Sequence, residues 1–204
     1  MPSLIRLPRP TVPILLGAEC SMPLPGPPVL PEAREEVASL EASCCTLAHL
    51  YMEMFARQGA AQWPIERLQG LLPAMQRWFG RKGHTEQECN DGARRVLQAL
   101  TTTLASESGQ WVLQAHPQAA SEWALATVEN GQVRQHVIDR TFVADGVRWI
   151  VDYKSARLGM ASNVAAEAYR PQLERYARLF RDEGLPVRKA VFFLASGKLV
   201  EIEE

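Results

Sequence analysis

The chain has 204 residues and a formal net charge of −1, so its overall charge does not indicate nucleic-acid binding. Hydrophobic residues make up 47% of the sequence, enough for a sizeable core, and the absence of any run of about 18 apolar residues excludes a membrane-spanning helix. The four cysteines form no C-x-x-C pair, which argues against a zinc site or a disulfide framework. The pattern predicts that the protein is located in a reducing cytoplasm.

The prolines divide the chain into two parts. Nine of the fourteen prolines lie in residues 1–31, which predicts an extended linker. A folded domain is expected at residues 32–204, mainly helical over residues 32–110. Residues 120–204 are expected to form its core.

Apolar residues recur at helical spacing in the first part of the domain. Three helices are predicted there: Glu32 to about Arg57, Ile65–Phe79 and Thr85–Ala105. Gly83 and Thr85 supply the break and the N-cap before the third helix. We expect these helices to form an N-terminal cap beside the core.

The second part alternates strand-like and helical segments. The predicted strands are Glu122–Val128, Val133–Val143, Val147–Ser155, Val187–Ala195 and Lys198–Ile202, with a helix at Asn163–Asp182. Strands that are followed by a crossover helix and a further strand predict an α/β domain with a mixed sheet flanked by helices.

The segment around Asp145–Gly146 carries the strongest chemical signal. Asp-Gly between two β-rich runs predicts a two-residue hairpin turn. Counting outward from that turn, Asp139 lies opposite Asp152, and Lys154 shares their face. Carboxylates directly opposite each other repel, so a divalent cation such as Mg²⁺ or Mn²⁺ would explain the pair. A three-residue loop would instead shift the register by one and separate the two carboxylates.

Five segments in chain order carry a resemblance to a known family. They are Thr46–His49, Glu122 in the first core strand, Ile138–Arg140, Asp152–Ser155 and Gln172–Tyr176. Together they resemble the PD-(D/E)XK nuclease domain in its RecB/AddA branch, as found at the C-terminus of bacterial UvrD/Rep-like helicase–nucleases. The resemblance runs from about Glu32 to the C-terminus and implies a restriction-endonuclease-like sheet.

The resemblance also implies roles for individual residues. Asp139 and Asp152 would hold the metal together with the backbone carbonyl of Tyr153 and the imidazole of His49. Lys154 is expected to position the attacking water or to stabilise the pentavalent phosphorus, and an electrostatic role is favoured over that of a general base because an ammonium beside two carboxylates stays protonated. Glu122 would assist the metal, although a solvated strand-end carboxylate is an equal alternative.

The helix after the hairpin is the expected DNA contact. Gln172 and Tyr176 lie four residues apart and so share a helical face, where they buttress the site and touch the DNA backbone by resemblance. A packing pair is the alternative interpretation. Arg175 and Arg178 flank this face and are expected to contact phosphates.

The resulting functional prediction is a metal-dependent deoxyribonuclease, expected to be an exonuclease that acts in DNA repair or recombination. No G-x-x-x-x-G-K-[ST] loop is present, so an ATP-dependent helicase domain or subunit is the expected partner. Cys45 stands where the family has a glycine. The alternative is therefore a catalytically impaired module that binds DNA or docks a partner.

Overall fold

The computed structural model describes residues 5–6, 38–129, 132–155 and 163–203. The predicted linker at residues 1–31 lies outside this part, apart from a two-residue strand, β1 (Ile5–Arg6). The described residues form an α/β domain in which a helical region precedes a mixed sheet with helices on its two faces. This confirms the predicted fold class and is consistent with a restriction-endonuclease-like arrangement. None of the described helices is both long enough and apolar enough to cross a membrane.

Five α-helices make up the described part of the N-terminal region. They are α1 (Leu40–Gln58), α2 (Ile65–Gln69), α3 (Leu72–Arg81), α4 (Glu86–Ala105) and α5 (Glu107–Leu113). The third predicted helix is confirmed as α4. Its N-cap Thr85 accepts from the backbone of Glu88, whose carboxylate accepts in return from the backbone of Thr85.

The other helical predictions were wrong in their boundaries. The first helix begins at Leu40 in the described part of the chain, because the Ser39 hydroxyl caps it by accepting from Ala42, and the predicted helical residues 32–37 lie outside that part. The single helix predicted at Ile65–Phe79 is broken into α2 and α3, since Pro73 lies in the first turn of α3 and has no N–H to continue a helix. Helix α5 was not predicted.

The sheet contains β1, β2 (Ala120–Glu129), β3 (Gln132–Ala144), β4 (Val147–Lys154), β5 (Val187–Phe193) and β6 (Lys198–Ile202), in that spatial order. All neighbours are antiparallel except β4 and β5, which are parallel. The crossover between them contains α6 (Asn163–Glu167) and α7 (Arg170–Arg178), followed by a 3-10 turn at Arg181–Glu183. The single helix predicted at Asn163–Asp182 was therefore wrong, and Pro171 lies where α7 begins.

The predicted hairpin turn is confirmed. Asp145 and Gly146 have φ angles of 51° and 74°, as a two-residue turn between twisted strands requires. Ala144 pairs with Val147, and the ladder continues in that register to Arg140 opposite Val151.

Each face of the sheet has its own apolar core. Val151 and Tyr153 pack with the helices of the N-terminal region, whereas Ile150 packs with α7 through Leu173. The strand that carries the candidate site is thereby enclosed on both sides, which fixes the direction of its side chains.

Two helix glycines test how closely the N-terminal helices pack. A Cβ at Gly92 in α4 would come within 2.8 Å of the buried Phe79 ring, whereas one at Gly80 in α3 would meet nothing closer than 3.9 Å. We therefore expect Gly92→Ala to lower the free energy of unfolding by about 1–3 kcal/mol. Gly80→Ala, the matched control, should be neutral or stabilising by up to about 1 kcal/mol. Urea denaturation measures both, and equal effects would contradict the packing at Gly92.

Candidate active site

The candidate site lies where β4 ends, between α1 on one face of the sheet and α7 on the other. Asp152 is only 2% exposed, and its backbone is in register with Val191 of β5. Its Oδ1 accepts a hydrogen bond of 2.9 Å from Gln172 in α7. Asp152 is therefore an interior carboxylate, oriented by a neighbouring helix.

The second oxygen of this carboxylate has an unusual environment. Oδ2 of Asp152 is buried and receives no hydrogen bond of good geometry from the described residues. The Lys154 ammonium nevertheless lies 2.7 Å from Oδ2, so the contact is an ion pair whose angles are poor for a hydrogen bond. The same ammonium lies 4.5 Å from the centre of the Tyr169 ring. Sequence reasoning missed Tyr169, which precedes Arg170 at the start of α7.

Asp139 is held by two groups at once. Its Oδ2 accepts from the backbone N–H of Tyr153 at 2.6 Å and lies 3.2 Å from Nε2 of His49. The His49 ring also stacks on the Tyr153 ring, with 5.8 Å between centroids. The structure thus brings His49, Asp139 and the Asp152–Lys154 segment together, although they are distant in sequence.

The alternation of side chains along β3 breaks at Asp139. Ile138 packs in the core beside α7, whereas the Arg140 guanidinium donates to the Val112 carbonyl in the helical region. Arg140 opposite Val151 is also the last β3–β4 pair, so Asp139 and Asp152 do not continue the ladder as predicted. Instead the Asp139 carboxylate bonds the backbone of β4 at Tyr153, which keeps it close to Asp152.

Glu122 marks the same irregularity on the neighbouring strand. By register it stands opposite Asp139, but no backbone pair forms there, and its φ of 47° is left-handed. Glu122, Asp139 and His49 line a groove of about 570 Å³, together with Glu53. Sequence reasoning missed Glu53, although its position four residues after His49 in α1 was a signal.

The charged groups of the site shift one another's pKa values. Burial and the nearby Asp139 charge raise the pKa of Asp152, although Lys154 opposes the rise. Burial disfavours the imidazolium of His49, but the contacts with Asp139 and Cys45 together outweigh burial and raise the pKa of the ring to about 11. Burial likewise opposes the charge of Lys154, yet Asp152 raises the pKa of that ammonium. Both cations are therefore charged at neutral pH.

Cys45 shapes the position of His49. Nδ1 of His49 lies 2.9 Å from the Cys45 carbonyl oxygen and 3.4 Å from its Sγ. The bond to His49 lowers the pKa of the Cys45 thiol more than burial raises it. The imidazole is thus fixed with Nδ1 against its own helix and Nε2 toward Asp139.

The remaining predicted residues divide into two groups. Gln172 joins the site directly, and its amide also donates to the Tyr176 hydroxyl at 3.0 Å. Arg175 and Arg178 are exposed on α7.

Within the described ranges, no group of three His, Cys, Asp or Glu side chains converges tightly enough to form a ready metal cage.

Comparison with known proteins adds no assignment. No family model matches the chain, and no curated protein matches it.

The buried carboxylate should cost stability. Asp152 is desolvated beside a second carboxylate, and a folded-state pKa above the unfolded one means that the ionised form lowers the stability of the folded chain once the pH rises above the unfolded pKa. We expect Asp152→Asn to raise the melting temperature in EDTA, by about 2–4 °C for each kcal/mol relieved. Asp139→Asn should lower it, because His49 loses its anionic partner. A loss of stability in Asp152→Asn would contradict this account.

Proposed function

We propose that this protein is a divalent-metal-dependent DNA nuclease of the PD-(D/E)XK class, in its RecB/AddA branch. One observation carries the proposal: Oδ2 of Asp152 is a buried carboxylate oxygen without a directed hydrogen bond. It faces an ammonium and has a second carboxylate nearby. Buried charges of this kind cost stability, and ionisable groups with such perturbed pKa values cluster at functional sites.

The donor atoms suit a hard cation. Asp139, Asp152 and the Tyr153 carbonyl would hold Mg²⁺ or Mn²⁺, which prefer oxygen ligands, and His49 would add Nε2. When bound, such a cation polarises a phosphoryl oxygen and lowers the pKa of a bound water. Glu122 lines the adjoining groove and would assist through water.

The protein's own groups supply the rest of the chemistry. Lys154 keeps its charge, so it neutralises the developing negative charge at phosphorus and does not act as a base. Gln172 fixes the Asp152 carboxylate through Oδ1 and leaves Oδ2 to face the site. The Tyr153 N–H holds the Asp139 carboxylate in the same way.

The biological setting follows from the family resemblance and the sequence. We propose an exonuclease domain that works with an ATP-dependent helicase domain or subunit in DNA repair or recombination. A cytoplasmic location is proposed from the cysteine pattern. Arg175 and Arg178 on α7 would contact DNA phosphates beside the Gln172–Tyr176 pair.

A second candidate is a catalytically impaired module that binds DNA or docks a partner. The geometry of His49 favours it, because Nε2 already lies 3.2 Å from Oδ2 of Asp139 and would have to give up this contact to bind a metal. Cys45 adds to this because its Sγ contacts Nδ1 of the same imidazole ring.

Cleavage distinguishes the two candidates. We expect the wild-type chain to degrade linear DNA with Mg²⁺ or Mn²⁺ and not with EDTA. Lys154→Ala should lower the rate by at least about 10²–10³-fold, the usual effect of removing one transition-state donor. Asp152→Ala should abolish cleavage because it removes a ligand. Lys198→Ala, an exposed lysine on β6, is the control and should leave the rate unchanged. A metal-dependent rate that survives both site substitutions would contradict the assignment.

Metal binding should also stabilise the fold. A cation that binds only the folded chain adds about 2.7 kcal/mol at 100 times its dissociation constant. We expect Mn²⁺ to raise the melting temperature of the wild type and not of Asp152→Asn. An equal shift in both proteins would place the metal elsewhere, and no shift in either would favour the docking module.

A further inference from the structure

We propose that the groove between α1 and α4 is a binding subsite for one nucleotide of a DNA strand, next to the phosphate that is cleaved. This inference rests on the proposed nuclease function. The groove has a volume of about 490 Å³. Small-molecule pockets measure roughly 300–1,000 Å³, so the groove suits a single nucleotide better than a duplex.

The position of the groove connects it to the candidate site. Ser155 lines it and directly follows Lys154, and Ala195 lines it just beyond the end of β5. The groove therefore lies at the carboxyl ends of the two parallel strands, where open α/β sheets bind their ligands. A strand whose phosphate meets Lys154 would pass its neighbouring nucleotide into this groove.

The lining of the groove matches the parts of a nucleotide. Cys44, Ala48 and Ala99 give a wall of small apolar side chains, which can pack against a sugar and a base face. Arg94 and Gln98 lie at the rim, four residues apart on one face of α4, and both are exposed. These side chains can contact a phosphate and pack against the apolar parts of a nucleotide, but they do not distinguish one base from another.

The charges favour a polyanion over a protein segment. Arg95 also lines the groove, and Glu41 holds its guanidinium at 2.6 Å. Within the described residues no acidic side chain forms an ion pair with Arg94, so its charge is available to a ligand. With Arg94 at its rim, the groove presents a positive charge to a polyanion.

The test compares two charge-matched variants. Arg94→Glu alters the groove, whereas Arg77→Glu makes the same charge change at an exposed site on α3 outside it. With a single-stranded oligonucleotide and Mg²⁺, we expect Arg94→Glu to raise KM by about tenfold or more, with kcat within about threefold of the wild type. Arg77→Glu should change KM by less than about twofold. Circular dichroism melting checks that both variants fold.

A crosslinking measurement locates the strand directly. An oligothymidylate that carries one 4-thiothymidine would be bound to the wild type in Ca²⁺, irradiated and mapped by mass spectrometry. We expect crosslinks within residues 94–99 of α4. Equal KM values for the two glutamate variants, or crosslinks confined to α7, would overturn the inference and leave the nuclease proposal standing. A wild type that cleaves no DNA would overturn both.

Discussion

Asp152 is an ionisable carboxylate in the interior of a sheet, and much of the surrounding structure serves to hold it there. Removing a carboxylate from water costs several kcal/mol unless partners replace the lost hydration. Those partners are Lys154 in the same strand and Gln172 in α7. Lys154 supplies an opposite charge, and the hydrogen bond from Gln172 fixes the orientation of the carboxylate. Since Oδ2 still lacks a directed hydrogen bond, the protein groups alone do not fully solvate this carboxylate.

The two apolar cores give this arrangement its rigidity. Side chains of β4 alternate between them, so that Val151 and Tyr153 anchor the strand to the helical region while Ile150 anchors it to α7. A strand that is packed on both faces cannot rotate about its axis to expose Asp152. The buried Arg140 also connects the sheet to the helical region through hydrogen bonds, because its guanidinium donates to the carbonyls of Val112 and Gln114 at the end of α5.

Helix α1 contributes both to the helical core and, through His49, to the candidate site. Its apolar face, which includes Met52 and Phe55, is buried in the helical core, while His49 reaches the sheet at Asp139. Cys45, one turn earlier, contacts the same imidazole and is compatible with this placement. A side chain larger than glycine at position 45 is therefore accommodated beside His49. Its effect is to fix the ring, and the charge of that ring depends on Asp139.

Local signals in the sequence determined the elements whose geometry depends on a few adjacent residues. Asp145–Gly146 specifies its turn because both positions take positive φ angles, and Thr85 with Glu88 specifies the start of α4 through reciprocal hydrogen bonds. The break before α3 was also encoded locally, by Pro73, although helical periodicity concealed it.

The sequence also pointed to most residues of the candidate site, although not to Glu53 or Tyr169, but only the tertiary structure decided how they meet. Simple alternation puts Asp139 in the ladder opposite Asp152, whereas packing turns Ile138 and Arg140 to opposite sides of the sheet and leaves Asp139 against the Tyr153 backbone. The contacts of Asp139 with His49 and of Lys154 with Tyr169 join elements that are distant in sequence. Such contacts depend on how helices dock on a sheet, and the energy of docking comes from cores that no single segment contains.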